Sequence, residues 1–415
     1  MKLVNSVFGV VLAGLVVSFF GVILLPGLKE NAKVGRFDFI VLYTGGSLVK
    51  QGQAKHLYDY ERQREIERNL TGRLNALPFN HTPYEALLFV PLACLPYLWA
   101  YQIWALINLA LVALSAYLLR DYLEHVRSLP LRLVFVLSVI APLFLAIVHG
   151  QDSILMLFLF TLAFVSLKQN RESRAGCFLA LALLKCQFVL PFVPVFFIKR
   201  RWRLVSAFLA VSVVLVLISF SVIGWRGLLD WMSLLKQENA PVPYTAGSSE
   251  KLVSYYGMPN LRGFFYAVLT GTMSPVGLNL LLAACSVILV VWGIRRWGAG
   301  YEREGGEFQL LLALDLVITL LVSYFGWPHD LVLVGLPILL TFSYFENSRA
   351  ALSPRRLVFV GSALLLFVVP LFLFSTNSKH SWVISWLLLA LLFSLSAEIT
   401  DARQRQATTP PSHLA

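Results

Sequence analysis

Apolar runs of membrane-spanning length follow one another along this chain, separated by brief polar breaks. A helix needs about 20 apolar residues to cross the hydrocarbon core of a bilayer. Runs at 6–26, 98–119, 133–148, 153–167, 204–224, 276–293, 308–325, 330–345, 356–375 and 381–397 approach or reach that length and predict spanning helices. The shorter ones suit a thinned or water-filled region. Two stretches break the pattern. Residues 176–198, "GCFLALALLKCQFVLPFVPVFFI", carry Lys185 in mid-run and basic residues on both flanks. If both flanks share one side, the run must enter and return as two short helices turning at "KCQ". Residues 84–96, "YEALLFVPLACLP", are too short to span and hold two prolines, which predicts a half-helix leading into the run at 98.

The expected architecture is therefore an all-α integral membrane protein of about twelve membrane segments in a single domain over 1–400. A polar tail at 401–415, with a Pro pair, is expected to be disordered. Composition agrees: 58% of the 415 residues are hydrophobic and 13% charged, about half the charge of a soluble domain. The net charge of +12 changes the picture only through its placement. "KRRWR" at 199–203, "IRRW" at 294–297 and "SPRR" at 353–356 lie in short connections, as the positive-inside rule requires of cytoplasmic loops. Such scattered clusters make no continuous basic face, so nucleic acid is excluded as a partner. The N-terminal apolar run lacks a small-residue cleavage site and is expected to be an uncleaved first span. The four cysteines have no metal or disulfide spacing.

With the N-terminus inside, the outer face receives 27–83, "HGQDS" at 149–153, the long 225–275 segment and "GWPHD" at 326–330. Chemically useful residues thus gather opposite the basic clusters. Asp38, just after the first run, is a candidate base whose carboxyl desolvation at the lipid boundary would raise in pKa; the plainer reading pairs it with Arg36. Asp59 reads as the N-cap of a solvated helix over 60–70. Gly150 allows a tight turn, and Asp152 or Ser153 could cap the next helix. Lys185, ionisable inside an apolar run, is a functional candidate by default. His329 and Asp330 could act as a cap, a proton relay or a phosphate contact. Lys251, Asn260 and Arg262 lie among aromatic residues, a mixture that suits sugars, phosphates or a membrane interface. No P-loop, Rossmann glycine run, HExxH or GxSxG is present.

Ordered blocks along the chain resemble glycosyltransferase family 87: "DFIVLYTGGSLVKQGQAKHLYD", "FNHTPYEALLFVPLACLPYLWAYQIWALIN", "HGQDSILMLFLF", "LLKCQFVLPFVPVFFIKRRWR" and "WPHD". The resemblance covers roughly 35–345. It implies a GT-C-type membrane bundle that moves a hexose, such as mannose, from a polyprenyl-phosphate donor to a lipid-linked or glycan acceptor. Asp38 would be the general base of an inverting transfer. Lys185, Arg262 and His329 would face the donor phosphate, and Tyr43, His81, Gln151, Asp152 and Asp330 would contact substrate. A monophosphate leaving group demands no metal, and no acidic cluster is evident in the sequence, so neither a metal nor another cofactor is expected. The expected location is a bacterial inner membrane with the site facing the periplasm. "NHTPYEA" and "LLKCQ" depart from the family pattern and leave the acceptor open. The competing reading is a transporter or flippase of lipid-linked sugars, which buried Lys185 and a broken helical hairpin would also suit.

Overall fold

The computed structural model describes residues 26–35, 37–72, 77–238, 255–298, 306–348, 353–375 and 380–408. Residues 6–25 of the predicted first span 6–26, Arg36 and Lys251 lie outside them. The described chain is helical, and its principal helices are α1 Phe39–Lys50, α2 Pro83–Ala93, α3 Tyr97–Leu118, α4 Leu129–His149, α5 Ser153–Lys168, α6 Glu172–Leu181, α7 Trp202–Glu238, α8 Leu261–Leu269, α9 Pro275–Arg296, α10 Gly306–Val322, α11 Gly335–Asn347, α12 Pro354–Ser375 and α13 Ile384–Thr408.

Among the described residues, six stretches are long and apolar enough to cross a membrane: Tyr97–Leu118, Leu129–His149, Trp202–Lys236, Pro275–Arg296, Pro328–Asn347 and Ser381–Arg405. The chain is an integral membrane protein on this basis, but the expected twelve segments are not shown. Most of one predicted span lies outside the described residues, and several other segments are short. Helix α5 has 16 residues and α2 has 11, or about 24 and 16 Å at 1.5 Å per residue, against a hydrocarbon core of about 30 Å.

Burial sorts the helices into layers. Helix α10 is buried along its whole face, from Glu307 to Leu321, and the most apolar 18 residues of Pro328–Asn347 are 94% buried. These two form the centre. The apolar windows of α7 and α9 are only 11% and 17% buried, with Val216, Leu217, Leu280 and Ile288 pointing outward. An apolar surface of this extent on a bundle faces lipid.

The 176–198 run does turn back. Arg201 at its far flank bonds Glu172 at its near flank, Nη1 to Oε1, at 3.2 Å. Between them Lys185 reaches Asp152, which immediately precedes α5. Lys185 sits in a 3₁₀ turn, Ala182–Lys185, between α6 and two short helices, Cys186–Val189 and Val193–Ile198.

The Gly-Gly pair of α1 is explained by close packing, Gly45 on the Phe79 ring and Gly46 on α2. A Cβ on Gly46 would stand 2.6 Å from the backbone oxygen of Phe89, so only glycine permits this crossing. Asp59 caps the helix Tyr60–Thr71 by accepting from the Glu61 and Arg62 backbone N–H groups. That helix is not wholly solvated, however. Gln63 and Glu67 are buried, and their side chains accept from the Phe79 and Leu77 backbone N–H groups. At the C-terminus α13 runs to Thr408, so the expected disordered tail begins as helix over 401–408; 409–415 lie outside the described residues.

Candidate active site

A cavity of about 940 Å³ opens at the end of the bundle where α1, α4 and the 3₁₀ stretch Pro328–Val334 meet. Asp38, His81, His149, Gln151, Lys185, His329 and Asp330 line it. Their neighbours fix each in place. Helix α4 ends at His149 because Gly150 adopts a left-handed conformation, φ +65°. A Cβ there would lie 2.6 Å from that of Phe39. Three side chains of α3, spaced i, i+3 and i+7 on one face, hold the turn. Tyr101 Oη donates to Val148 O at 2.7 Å, Trp104 Nε1 to Gly150 O at 2.9 Å, and Asn108 Nδ2 to Gln151 O at 3.4 Å. These bonds satisfy carbonyls that a helix end leaves open.

The turn delivers two partners to Asp38. Gln151 Nε2 donates to Asp38 Oδ2 at 2.7 Å, and His149 Nδ1 lies 3.2 Å from the same oxygen. Oδ1 accepts no hydrogen bond among the described residues. Gln151 cannot flip its amide without loss, because Lys185 Nζ sits 3.5 Å from its Oε1. The expected rise in the Asp38 pKa is overturned. Burial does push it up, but the hydrogen bond and charge of His149, with help from His329 and Gln151, outweigh burial and hold the carboxyl below its ordinary range.

Lys185 is held between two carboxylates, 2.8 Å from Asp152 Oδ1 and 2.6 Å from Asp330 Oδ1. It also donates to Ser153 Oγ at 3.0 Å. A cation matched by two anions is already neutralised, so its expected role on the donor phosphate does not fit this geometry. Asp330 is a junction. Its Oδ1 takes Lys185 and the Ser153 hydroxyl, and its Oδ2 takes the Trp327 backbone N–H at 2.9 Å. Capping is thus one of its tasks, at Pro328–Val334. Asp152 makes no capping bond to α5; it is fully buried and bound to Lys185, whose charge outweighs burial and lowers its pKa.

His329 stands at the cavity wall, its ring 6.1 Å from that of His149. Arg262 is not at the wall. It is fully buried, with its guanidinium 3.8 Å over the Tyr324 ring and 4.3 Å over the Tyr255 ring. It borders the cavity through Tyr324, whose hydroxyl accepts from Nη2 at 3.2 Å, and through the Phe325 ring, 5.2 Å away. Tyr43 is in the core between α1 and α3, donating to Leu95 O at 2.8 Å, and does not reach the cavity. The reason is phase: Asp38 precedes α1, and Tyr43 falls on the face that packs against Tyr97.

His149, Glu85 and Trp231 were missed in the sequence. His149 ends an apolar run beside a glycine turn, and that position was the available signal. Trp231 lies beyond a break in α7 at Gly224, φ 66°. It donates to Asn80 O at 3.1 Å and stacks on Tyr58, forming another wall. Glu85 pairs with His81, Nδ1 to Oε2, at 3.0 Å. Burial lowers the His81 pKa, but the Glu85 charge prevails and lifts it to about 8. The absence of an acidic cluster must also be corrected. His81, Glu85 and Asp152 each bring a ligand-type atom within 4.8 Å of the others. Asp152 is distant in sequence, so spacing could not reveal the group.

A polytopic helical bundle with a polar cavity at one end of its spans is the frame of a membrane enzyme or a carrier. The profile of Glycosyltransferase family 87 matches residues 79–323, more than half of the chain, and the chain belongs to that family. It is a membrane glycosyltransferase by membership, which decides against the carrier. Asp38, His329 and Asp330 lie outside the matched residues. Comparisons with curated proteins and with solved structures each find no match.

Proposed function

We propose that this protein moves a hexose, mannose being one candidate, from a polyprenyl-phosphate donor to a lipid-linked or glycan acceptor in the cavity beside Asp38. The observation that carries this reading is the Asp38 carboxylate. It is held on Oδ2 by His149 and Gln151, has Oδ1 open, and sits in a cavity of about 940 Å³. That volume is in the range of small-molecule sites.

In the proposed step, Oδ1 accepts the acceptor hydroxyl proton as that oxygen bonds to the anomeric carbon. The bond from that carbon to the phosphate oxygen breaks, and the lipid monophosphate leaves with the electron pair. One in-line displacement inverts the anomeric centre. His329, on the same cavity, is the group we assign to the leaving phosphate, with the Tyr324 hydroxyl bonded to Arg262 beside it. Donors aimed at a developing anion are a main source of transition-state stabilisation. Lys185, neutralised at the wall, acts by orienting Gln151 and Asp330.

Charge supports an outward-facing cavity. Arg201–Glu172 and Arg403–Glu307 lie at the end of the bundle away from the cavity, since α10 runs from Glu307 to the neighbourhood of Ser323 and Tyr324 beside it. The positive-inside rule makes the basic end cytoplasmic. The cavity is then on the outer face, periplasmic in a bacterial inner membrane.

The test is transfer of radiolabelled hexose from a panel of polyprenyl-phosphate sugars to a crude lipid extract, comparing wild type with Asp38→Asn. The expected outcome is transfer by wild type and loss of about a hundred- to ten-thousandfold in a variant with an unchanged elution profile. Equal transfer by both would remove Asp38 from the chemistry.

A further inference from the structure

His81, Glu85 and Asp152 form a cluster that the proposed transfer does not use. His81 and Glu85 are four residues apart, one just before α2 and one in its first turn, so they share a face. Asp152 comes from the turn between α4 and α5. Glu85 and Asp152 are fully buried. Glu85 Oε1 accepts no hydrogen bond, and neither does Asp152 Oδ2. Buried carboxylate oxygens without donors are costly, and each such case calls for an explanation.

Charge sharpens the question. Glu85, Asp152 and Asp330 are three buried carboxylates around Lys185 and His81, so the fully ionised group needs one more positive charge, from a proton between Glu85 and Asp152 or from a cation. A divalent cation beside neutral His81 would cancel the group as a whole. One imidazole nitrogen and two carboxylates are also a donor set that borderline divalent cations favour. The ligand-type atoms lie within 4.8 Å of one another. A centred ion would draw them to the spacing of roughly 3.3 Å that metal–ligand distances of about 2.0–2.2 Å imply.

We propose that His81, Glu85 and Asp152 bind a divalent cation of the Zn²⁺ or Mn²⁺ class. Lys185 keeps its bond to Asp152 Oδ1, leaving Oδ2 for the ion. The fourth position falls to water or substrate from the cavity that His81 lines. Three protein ligands with one open position is the arrangement found where a metal meets substrate.

The test uses the full-length protein in detergent, stripped with chelator and titrated with MnCl₂ while free Mn²⁺ is read by electron paramagnetic resonance. Zinc content after equilibration with ZnCl₂ is read by mass spectrometry. Wild type is expected to bind one ion per chain. Glu85→Gln should bind at least about tenfold more weakly, and exposed Glu65→Gln should bind as wild type does. If Glu85→Gln does not elute as a folded species, His81→Gln provides the same comparison. No saturable binding of either metal by wild type would overturn the proposal. So would binding undiminished in both ligand variants. Sugar transfer is not read, so the outcome is independent of the proposed reaction.

Discussion

Asp38 shows how far a single residue could be read from sequence. Its position after an apolar run was visible, and burial alone would have raised its pKa. Its partners His149 and Gln151 lie 111 and 113 residues away, and they reverse the sign. A lowered carboxyl pKa means that the base form is present through neutral and mildly acidic pH and is lost only when pH falls through that low value. Removing His149 removes the largest lowering cause, so the carboxyl pKa rises. The acid limb of transfer in His149→Ala should therefore shift to higher pH than in wild type, as a rate profile would show; an unmoved limb would separate His149 from the titration of Asp38. Lys185 teaches the same lesson. A lysine inside an apolar run was legible as functional, but its two counter-ions were not. Lys185→Met would leave the buried Asp152 and Asp330 without the cation between them, at a cost of about 3–5 kcal/mol. A large fall in the thermal midpoint in detergent would register this.

At the scale of elements, apolar runs located the described helices α3, α4, α5, α9, α10 and α12 closely, because run length and flanking charge are local properties, whereas α7 and α13 continue well past the ends of their apolar runs. The charge rule also foresaw the return of 176–198, now closed by Arg201 on Glu172. Segment number was harder to read. A short apolar helix such as α2 is buried by neighbours rather than by lipid, and composition cannot tell those environments apart. The glycine pair in α1 was visible but uninterpreted, since its reason is the approach of Phe79 to Gly45 and of Phe89, from another helix, to Gly46. Gly46→Ala would press a methyl against that backbone and should cost about 1–3 kcal/mol. Thermal unfolding in detergent would report a lowered midpoint with the helical content of the folded state unchanged.

For the molecule as a whole, polarity divides the bundle. Acid, imidazole and amide groups collect at one end, and arginine–glutamate pairs at the other. If the basic end is cytoplasmic, a cysteine at exposed Glu61 should react with an impermeant thiol reagent added outside intact cells. One at exposed Arg203 should react only after permeabilisation, both in a background lacking the native cysteines. The reverse pattern would put the cavity on the cytoplasmic face. This division was legible in the sequence from the order of loops alone, because each span moves the chain to the other side.

The three bonds from Tyr101, Trp104 and Asn108 to the end of α4 carry a kinetic consequence. They make the turn bearing His149 and Gln151 part of the frame and not of a loop. The dipoles around Asp38 are then oriented when the chain folds, and little reorganisation energy remains to be supplied in each catalytic cycle. Rate should accordingly depend on a tryptophan well back from the reacting atoms. Trp104→Phe would free the Gly150 carbonyl and slow turnover more than it weakens donor affinity.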